Sequence, residues 1–234
     1  MGTSRVEIAA EEGAMPSYVA EPDGAGPFPA VVVIMEAFGL LPHIEQVADR
    51  LAGEGYVALA PDFYYRELPD NKVGYDRLPE AIALMQKVDD RKFAVDMAAA
   101  LDFLSSRENV DGSRIGVTGF CMGGRLSFLT ACVLPDRVAA AAPFYGGGIV
   151  GHLEQASAIE CPLLLFFGEK DAFIPLEQVQ QIEARLGELD KRYDAKVYTG
   201  AEHGFFCDER ASHHPEAAAD AWQRLRTFLA KHLQ

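Results

Sequence analysis

The chain has 234 residues, of which 49% are hydrophobic and 24% charged. This is an ordinary globular composition, and it excludes a disordered chain. The formal net charge of −14 argues against the clustered Lys and Arg that neutralise phosphates, so we expect no nucleic acid partner. The length suits one α/β domain, and we predict a single domain over residues 1–234.

The first thirty residues lack the basic start and apolar middle of a secretory signal. No run reaches the roughly 18–20 apolar residues that a bilayer-spanning helix needs. The cysteines show no metal-ligand spacing, and a chain of this length does not need disulfides to hold its core. They are Cys121, Cys132, Cys161 and Cys207. We therefore predict a cytoplasmic protein with reduced thiols and no membrane contact.

The first two predicted strands, SRVEIAA and MPSYVAE, alternate apolar and polar residues as antiparallel edge strands do. Continuous apolar runs, typical of strands covered on both faces, follow at 30–35, 56–61, 114–120, 138–146 and 162–168. Helical patterns lie between them at 44–55, 91–107, 123–134 and 176–189, and a last helix starts near Pro215. This alternation predicts an α/β fold with a mostly parallel, doubly wound sheet and helices on both faces.

The segment 64–90 has no clear periodicity. Ligands in open α/β sheets bind outside the carboxyl ends of the strands, so this segment is a candidate wall or lid of the site. An ordinary surface loop is the alternative, and the pattern alone leaves both open.

The sharpest motif is Gly-Phe-Cys-Met-Gly-Gly at 119–124, between an apolar strand and a helical pattern. This arrangement resembles the nucleophile elbow of α/β-hydrolases, with Cys121 where serine usually stands. Gly119 and Gly123 flank the nucleophile where side chains would collide with the strand and the helix. The positive end of the helix dipole favours a thiolate at this position, so we predict that Cys121 is the nucleophile.

In this fold the acid follows the nucleophile in the chain and the histidine comes last. Asp171 follows the apolar strand 162–168, and His203 follows a short strand near Lys196–Tyr198. An aspartate in a loop is usually a turn former and a histidine is usually structural, but their order and strand-end positions favour catalysis. We predict that His203 transfers the proton and that Asp171 fixes its tautomer.

The oxyanion of a tetrahedral intermediate needs hydrogen-bond donors. We predict the backbone N–H of Met122 as one donor and that of Ala37, in the loop after strand 30–35, as the second. Glu36 ends that apolar strand. Because an isolated buried charge is costly, we expect Glu36 to be paired, protonated or functional.

Five segments together resemble the dienelactone hydrolase family, the carboxymethylenebutenolidases, over nearly the whole chain. They are MEAFG with Glu36, GFCMGG with Cys121, the Phe-Tyr-Gly containing Tyr145, GEKDAFIP with Asp171 and AEHGF with His203. The resemblance implies that a cysteine, histidine and aspartate triad opens a carboxylated unsaturated lactone to maleylacetate in chloroaromatic breakdown. It also implies that Glu36 holds the resting thiol and assists its deprotonation when substrate arrives.

The same resemblance implies arginines that bind the substrate carboxylate. Arg77, Arg91 and Arg210 are the candidates, and Phe38 and Tyr145 are further expected substrate contacts. The residues after His203 resemble the wider family, so the sequence supports membership more firmly than it supports one substrate.

Two other functions stay open at this stage. A general carboxylesterase or thioesterase would use the same triad, and a thiol redox sensor would use Cys121 alone, although no resolving cysteine is apparent. His213 and His214 lie near Asp208 and Glu216 without metal-site spacing. We predict no metal and no organic cofactor, a small ester or lactone as the partner, and a monomer or small homo-oligomer.

Overall fold

A computed structural model describes residues 1–69 and 71–234. The chain forms two compact units, Met1–Ile115 and Gly116–Gln234, which are described separately. The strands are β1 (Gly2–Ala10), β2 (Gly13–Glu21), β3 (Phe28–Ile34), β4 (Val57–Pro61), β5 (Val110–Phe120), β6 (Ala140–Phe144), β7 (Leu163–Gly168) and β8 (Tyr193–Tyr198). The α-helices are α1 (Pro42–Gly53), α2 (Leu78–Met85), α3 (Asp90–Ser105), α4 (Met122–Val133), α5 (Leu176–Glu188) and α6 (Pro215–Leu233).

In the first unit the strand order is β1-β2-β4-β3. β2 runs antiparallel to both of its neighbours, whereas β3 and β4 are parallel. β3 is buried from Pro29 to Ile34, and both α1 and α3 pack against it. Helices on both faces explain why its apolar run is continuous rather than alternating.

In the second unit the strand order is β5-β6-β7-β8, and each neighbouring pair is parallel. β6 and β7 are fully buried, with α4 packed on β6 and α6 on both strands. β8 is only half-buried. The predicted α/β class with a mostly parallel sheet is confirmed, while the single domain over 1–234 stays a prediction.

Several predicted elements differ from those observed. β2 is not an edge strand, because it lies between β1 and β4 and buries Met15 and Val19. β5 begins four residues before the predicted position, since the polar residues and glycine at 111–113 hide the pattern. β6 ends at Phe144 rather than at residue 146, because Tyr145 turns the backbone to a φ of 36°.

The segment 64–90 is more ordered than its sequence suggests. It contains a short 3₁₀ turn, Tyr65–Glu67, and the helix α2, and α3 begins at its last residue. Asp70 of this segment lies outside the described residues. Among the helices described, none combines the length and apolarity that crossing a bilayer requires.

Candidate active site

Cys121 occupies a sharp turn between β5 and α4. Its backbone has φ 57° and ψ −115°, a conformation that is uncommon for a residue with a side chain. Its N–H donates to Phe144 O at 3.1 Å, and its carbonyl accepts from Gly124 N at 3.0 Å and Arg125 N at 3.2 Å. These bonds hold the half-buried thiol at the start of α4, in the conformation of a nucleophile elbow.

The turn depends on the absence of side chains at two glycines. A β-carbon at Gly124 would lie 2.2 Å from Phe144 O, and one at Gly146 would lie 2.7 Å from Arg125 N. The first turn of α4 therefore packs directly against the chain leaving β6. Gly124, the third glycine of the motif, had no predicted role, although a second glycine directly after Gly123 was a signal for this close approach.

Asp171 and His203 lie together in the second unit. His203 Nδ1 is 2.7 Å from Asp171 Oδ2, while Asp171 Oδ1 accepts from Phe173 N at 2.8 Å and Ile174 N at 3.1 Å. The carboxylate is fully buried, and its backbone donors fix its orientation. Because Nδ1 donates to the carboxylate, Nε2 is the nitrogen available for proton transfer.

The loops that carry Asp171 and His203 are joined mainly through the backbone. Glu169 N donates to Tyr198 O at 2.9 Å, and Lys170 N donates to Ala201 O at 2.8 Å. A β-carbon at Gly168 would lie 2.5 Å from Ala201 O, so glycine permits the approach. These bonds fix the separation of the two loops from which the acid and the histidine project.

The electrostatics link His203 to both partners. Burial lowers the pKa of His203, but the charge of Cys121, hydrogen bonds to Asp171 and Cys121, and the charge of Asp171 outweigh it. Together they raise the pKa to about 10. Cys121 and Asp171 therefore both lie close enough to His203 to favour its protonated form. The structure thus brings together the three residues predicted as nucleophile, base and acid.

Aromatic side chains surround the histidine. Tyr145 and Phe173 each meet His203 edge to face, with ring centroids 5.1 Å apart. Tyr145 is buried, but Phe173 is 54% exposed. Phe173 was not predicted as a site residue. Its only signal in the sequence was its position two residues after Asp171. An exposed aromatic ring beside the triad provides an apolar surface for a substrate.

Met122 is the first residue of α4 and is buried. Backbone N–H groups in the first turn of a helix point away from the helix, as an oxyanion donor must. This position is compatible with the predicted role of Met122, which stays a prediction.

The first unit holds Glu36, Ala37 and Phe38, which form a buried turn after β3. Gly39 N donates to Glu36 O at 3.1 Å and closes the turn. The segment 64–90 packs against this turn, because Tyr64 Oη donates to Ala37 O at 3.1 Å. The Phe38 ring also meets the Tyr75 ring edge to face at 4.8 Å. The catalytic roles of Glu36 and Ala37 and the substrate contact of Phe38 stay predictions.

The three candidate arginines differ in their surroundings. Arg77 is 58% exposed and pairs with Glu80 at 3.2 Å, and Arg91 is exposed at the start of α3; both belong to the first unit. Arg210 is half-buried in the second unit. A β-carbon at Gly204 would lie 2.2 Å from Arg210 Nη1. The guanidinium of Arg210 therefore packs against Gly204, the residue directly after His203.

His213 and His214 precede α6. His214 caps this helix, with Ala217 N donating to its Nδ1 at 3.4 Å. Within residues 1–69 and 71–234, no three His, Cys, Asp or Glu side chains are grouped so that they could hold a metal ion.

Known proteins resemble the chain over most of its length. The model of the dienelactone hydrolase family matches residues 15–233. A Synechocystis protein provisionally named carboxymethylenebutenolidase is 38% identical over 245 residues, which cover 99% of this chain and 98% of the relative.

Two solved structures show the same fold. One, from Klebsiella pneumoniae and provisionally named a dienelactone hydrolase, is 33% identical with a TM-score of 0.90, and the match covers 98% of each chain. The other is a dienelactone hydrolase-like promiscuous phosphotriesterase from metagenomic libraries. It is 25% identical with a TM-score of 0.87, over 100% of this chain and 99% of that one. With the fold, the elbow and these relatives in agreement, the chain is a carboxylic ester hydrolase that belongs to the dienelactone hydrolase family.

Proposed function

We propose that this enzyme uses Cys121, His203 and Asp171 as a catalytic triad to open a carboxylated enol lactone or a related ester. The observation that carries the proposal is the 2.7 Å contact of His203 Nδ1 with Asp171 Oδ2, together with Cys121 near enough to His203 to raise its pKa. The three residues follow the parallel strands β5, β8 and β7, whose carboxyl ends face the same edge of the sheet.

The first step forms a thioester. The Cys121 Sγ thiolate attacks the carbonyl carbon, and the π electron pair moves to the oxygen, which the Met122 N–H stabilises. The intermediate then collapses, and the ring C–O bond breaks with its electron pair on the leaving oxygen. The His203 imidazolium donates its Nε2 proton to that oxygen.

The second step releases the acid. Neutral His203 takes a proton from water, and the resulting hydroxide attacks the thioester carbonyl. When this intermediate collapses, the C–S bond breaks and Cys121 leaves as a thiolate paired with the His203 imidazolium. The product is a carboxylic acid, which loses its proton to solvent and becomes a carboxylate. For an enol lactone, the released enol becomes a ketone. Asp171 stays ionised throughout and holds the imidazole ring in place.

Arg210 is the arginine that we favour for binding a substrate carboxylate. Its guanidinium lies against Gly204, directly after His203, and within the same unit as the triad. A guanidinium can bind both carboxylate oxygens at once, which would also orient the lactone. On a chain of net charge −14, such a local positive group is needed to hold an anionic substrate.

The nucleophile is tested by steady-state hydrolysis of a dienelactone and of p-nitrophenyl acetate. We expect Cys121→Ala to abolish turnover of both substrates, and Cys132→Ala, the same change within the helix that follows Cys121, to keep it. Unchanged turnover in Cys121→Ala would refute the triad. Peroxide sensitivity of Cys121 without turnover of any ester would instead favour the thiol sensor.

The carboxylate ligand is tested with Arg210→Met, Arg77→Met and Arg91→Met. We expect only Arg210→Met to raise the KM for the carboxylated lactone, by about tenfold or more, because a charge-assisted hydrogen bond contributes roughly 1.5–3 kcal/mol. The KM for neutral p-nitrophenyl acetate should change little in all three. An effect confined to Arg77→Met or Arg91→Met would move the role to that residue.

One observation favours a second candidate, a general carboxylesterase on the same triad. Phe173 presents an exposed aromatic face beside His203, which suits neutral aryl or alkyl groups. The phosphotriesterase relative is itself described as promiscuous. A substrate panel separates the two candidates, since a strong preference for neutral aryl esters over carboxylated lactones would exclude the first.

A further inference from the structure

The strand β8 leaves one edge of the sheet open. β8 is the last strand in the order β5-β6-β7-β8, and among the described strands only β7 pairs with it. It is half-buried along most of its length, unlike the fully buried β6 and β7. An edge of this kind presents backbone N–H and C=O groups that another strand can pair with.

The hydrogen bonds to β7 fix which residues face the open edge. Arg192 O accepts from Leu163 N, and Tyr198 O accepts from Glu169 N, each at 2.9 Å. Even-numbered residues therefore turn their backbone groups toward β7. Because successive residues of a strand alternate between its two edges, Tyr193, Ala195 and Val197 turn theirs outward.

We infer that β8 pairs antiparallel with the β8 of a second copy of this chain, about a twofold axis at Ala195. Twofold symmetry makes the same strand serve on both sides of the contact. Outward-facing residues must meet outward-facing residues, so the axis passes through a residue and not between two residues. Axes at Ala195 and Lys196 each pair five residues of β8, whereas axes at Asp194 and Val197 each pair only three.

Charge selects among these registers. An axis at Asp194 would set that aspartate opposite the partner's Asp194, and an axis at Lys196 would oppose two lysines. Like charges directly opposite each other destabilise a pair of strands. The axis at Ala195 instead sets Asp194 opposite the partner's Lys196, and symmetry repeats this ion pair. The same register places Tyr193 opposite the partner's Val197, an aromatic and β-branched pair that sheets favour.

The cavity beside the start of β8 leaves room for the side chains of the Asp194 and Lys196 pair. A cavity of about 620 Å³ lies between the start of β8 and α6, and Asp194, Thr227 and Phe228 are among the residues that line it. Asp194 is exposed within it, and Lys196 is half-buried further along β8. In the Ala195 register, Asp194 and the partner's Lys196 form a pair without mutual backbone hydrogen bonds. The side chains of such a pair lie closest together.

Sedimentation velocity of the full chain over a range of concentrations tests the interface. We expect a species of twice the 25.5 kDa chain mass. Asp194→Lys and Lys196→Asp should each raise the dissociation constant of the dimer by about tenfold or more. Each change sets two like charges directly opposite each other, and the twofold axis repeats this repulsion. The double exchange Asp194→Lys with Lys196→Asp should restore the dissociation constant to within about threefold, since it only reverses the two ion pairs.

Ala195→Pro provides an independent test. It removes the outward N–H of Ala195 at the axis and leaves the backbone hydrogen bonds between β8 and β7 intact. Edge strands tolerate proline where the N–H faces away from the sheet. We expect a monomer that still hydrolyses p-nitrophenyl acetate. Glu177→Lys, an exposed charge change on α5, is the control and should leave the dimer unchanged.

Three results would overturn the inference. The wild-type chain could remain a monomer up to about 100 µM, in which case Asp194 and Lys196 only protect the edge from pairing. A dimer could persist in all the β8 variants, which would place the contact elsewhere. The single variants could weaken the dimer without rescue by the double exchange, which would exclude the Ala195 register.

Discussion

His203 has two partners whose negative charges favour its protonated form. Against the effect of burial, Cys121 and Asp171 raise the pKa of His203 from 6.5 to about 10. The imidazolium form is thus stabilised in the folded protein over the neutral pH range. In the proposed mechanism, a protonated His203 donates to the leaving oxygen, and a thiolate at Cys121 attacks the carbonyl carbon.

NMR of the histidine ring protons provides the first prediction. In the wild-type protein, we expect His203 to stay protonated from pH 6.5 to about pH 10, and in Cys121→Ala we expect its pKa to fall, because one negative partner is lost. His232 is an internal comparison, since burial lowers its pKa and it lies in the last turn of α6. Titration of His203 near pH 6.5 in both proteins would contradict this account.

Asp62 provides a second prediction, in the first unit. This buried residue follows β4 and accepts hydrogen bonds from Tyr64 N at 3.0 Å and from the Asn71 side chain. Burial raises the pKa of Asp62 from 3.8 to about 6. The fold therefore favours the protonated form, and the stability it contributes is present below pH 3.8 and lost as the pH rises through 6.

Replacing Asp62 by asparagine should remove this pH dependence. We expect Asp62→Asn to be more stable than wild type at pH 7.5, by up to about 3 kcal/mol, with the difference shrinking toward pH 4. Urea denaturation from pH 4.5 to 7.5 measures the free energies of unfolding. Asp76→Asn, an exposed change, is the control. If the difference in unfolding free energy between Asp62→Asn and wild type does not vary with pH, the pKa of Asp62 is not raised by folding.

Residue types and chain order were enough to predict that Asp171 and His203 lie together, as the structure shows, while the catalytic roles of Cys121, Asp171 and His203 stay predictions. Phe173 and Arg210 illustrate what the sequence could not supply. The first is an exposed aromatic residue among fourteen phenylalanines, and only the loop geometry sets its ring against His203. The second is one of three candidate arginines in the sequence, and its packing on Gly204 is visible only in the structure.

Among the elements, long periodic helices and buried strands were predicted to within a few residues, whereas α2 was missed. Its eight residues, LPEAIALM, bury only Ala81 and Leu84. A helix this short has too few residues to show a 3.6-residue period, and most of its stability must come from packing.

The turn between β5 and α4 provides a prediction at this scale. Gly124→Ala would bring a β-carbon within 2.2 Å of Phe144 O and 2.9 Å of Gly146 Cα. Since backbone atoms cannot move aside cheaply, we expect a loss of about 2–3 kcal/mol in the free energy of unfolding and a lower kcat. Denaturant unfolding and p-nitrophenyl acetate kinetics measure the two effects.

Gly53→Ala is the matched control. Gly53 ends α1, and a β-carbon there would meet nothing within 4 Å. Alanine is the better helix former, so this variant should gain up to about 1 kcal/mol and keep its activity. Equal stability of the two alanine variants would refute the packing argument at the elbow.

At the scale of the whole molecule, the charge of −14 acts on substrates before they reach the site. A carboxylated lactone approaches against a negative field, whereas p-nitrophenyl acetate is neutral. Salt shortens the range of this field from about 30 Å at 0.01 M to about 10 Å at 0.1 M. We therefore expect the KM for the lactone to fall by about two- to fivefold over this range, with no change for the neutral ester.

This result also tests the role of the local arginine. If the KM for the lactone rises with salt, short-range attraction by a group such as Arg210 outweighs repulsion by the whole chain. Steady-state kinetics at several ionic strengths, with a fixed pH and the same counter-ions, distinguish the two effects.

The backbone hydrogen bonds that join the Asp171 and His203 loops have a consequence for evolution. Glu169 N with Tyr198 O, and Lys170 N with Ala201 O, use atoms that nearly every residue type possesses. Most substitutions at these positions therefore leave the bonds intact, and selection on the spacing of acid and base constrains few side chains beyond Gly168. Under the proposed roles of Asp171 and His203, neighbours such as Phe173 can then change, and a lineage can sample new substrates while the geometry of proton transfer is inherited unchanged.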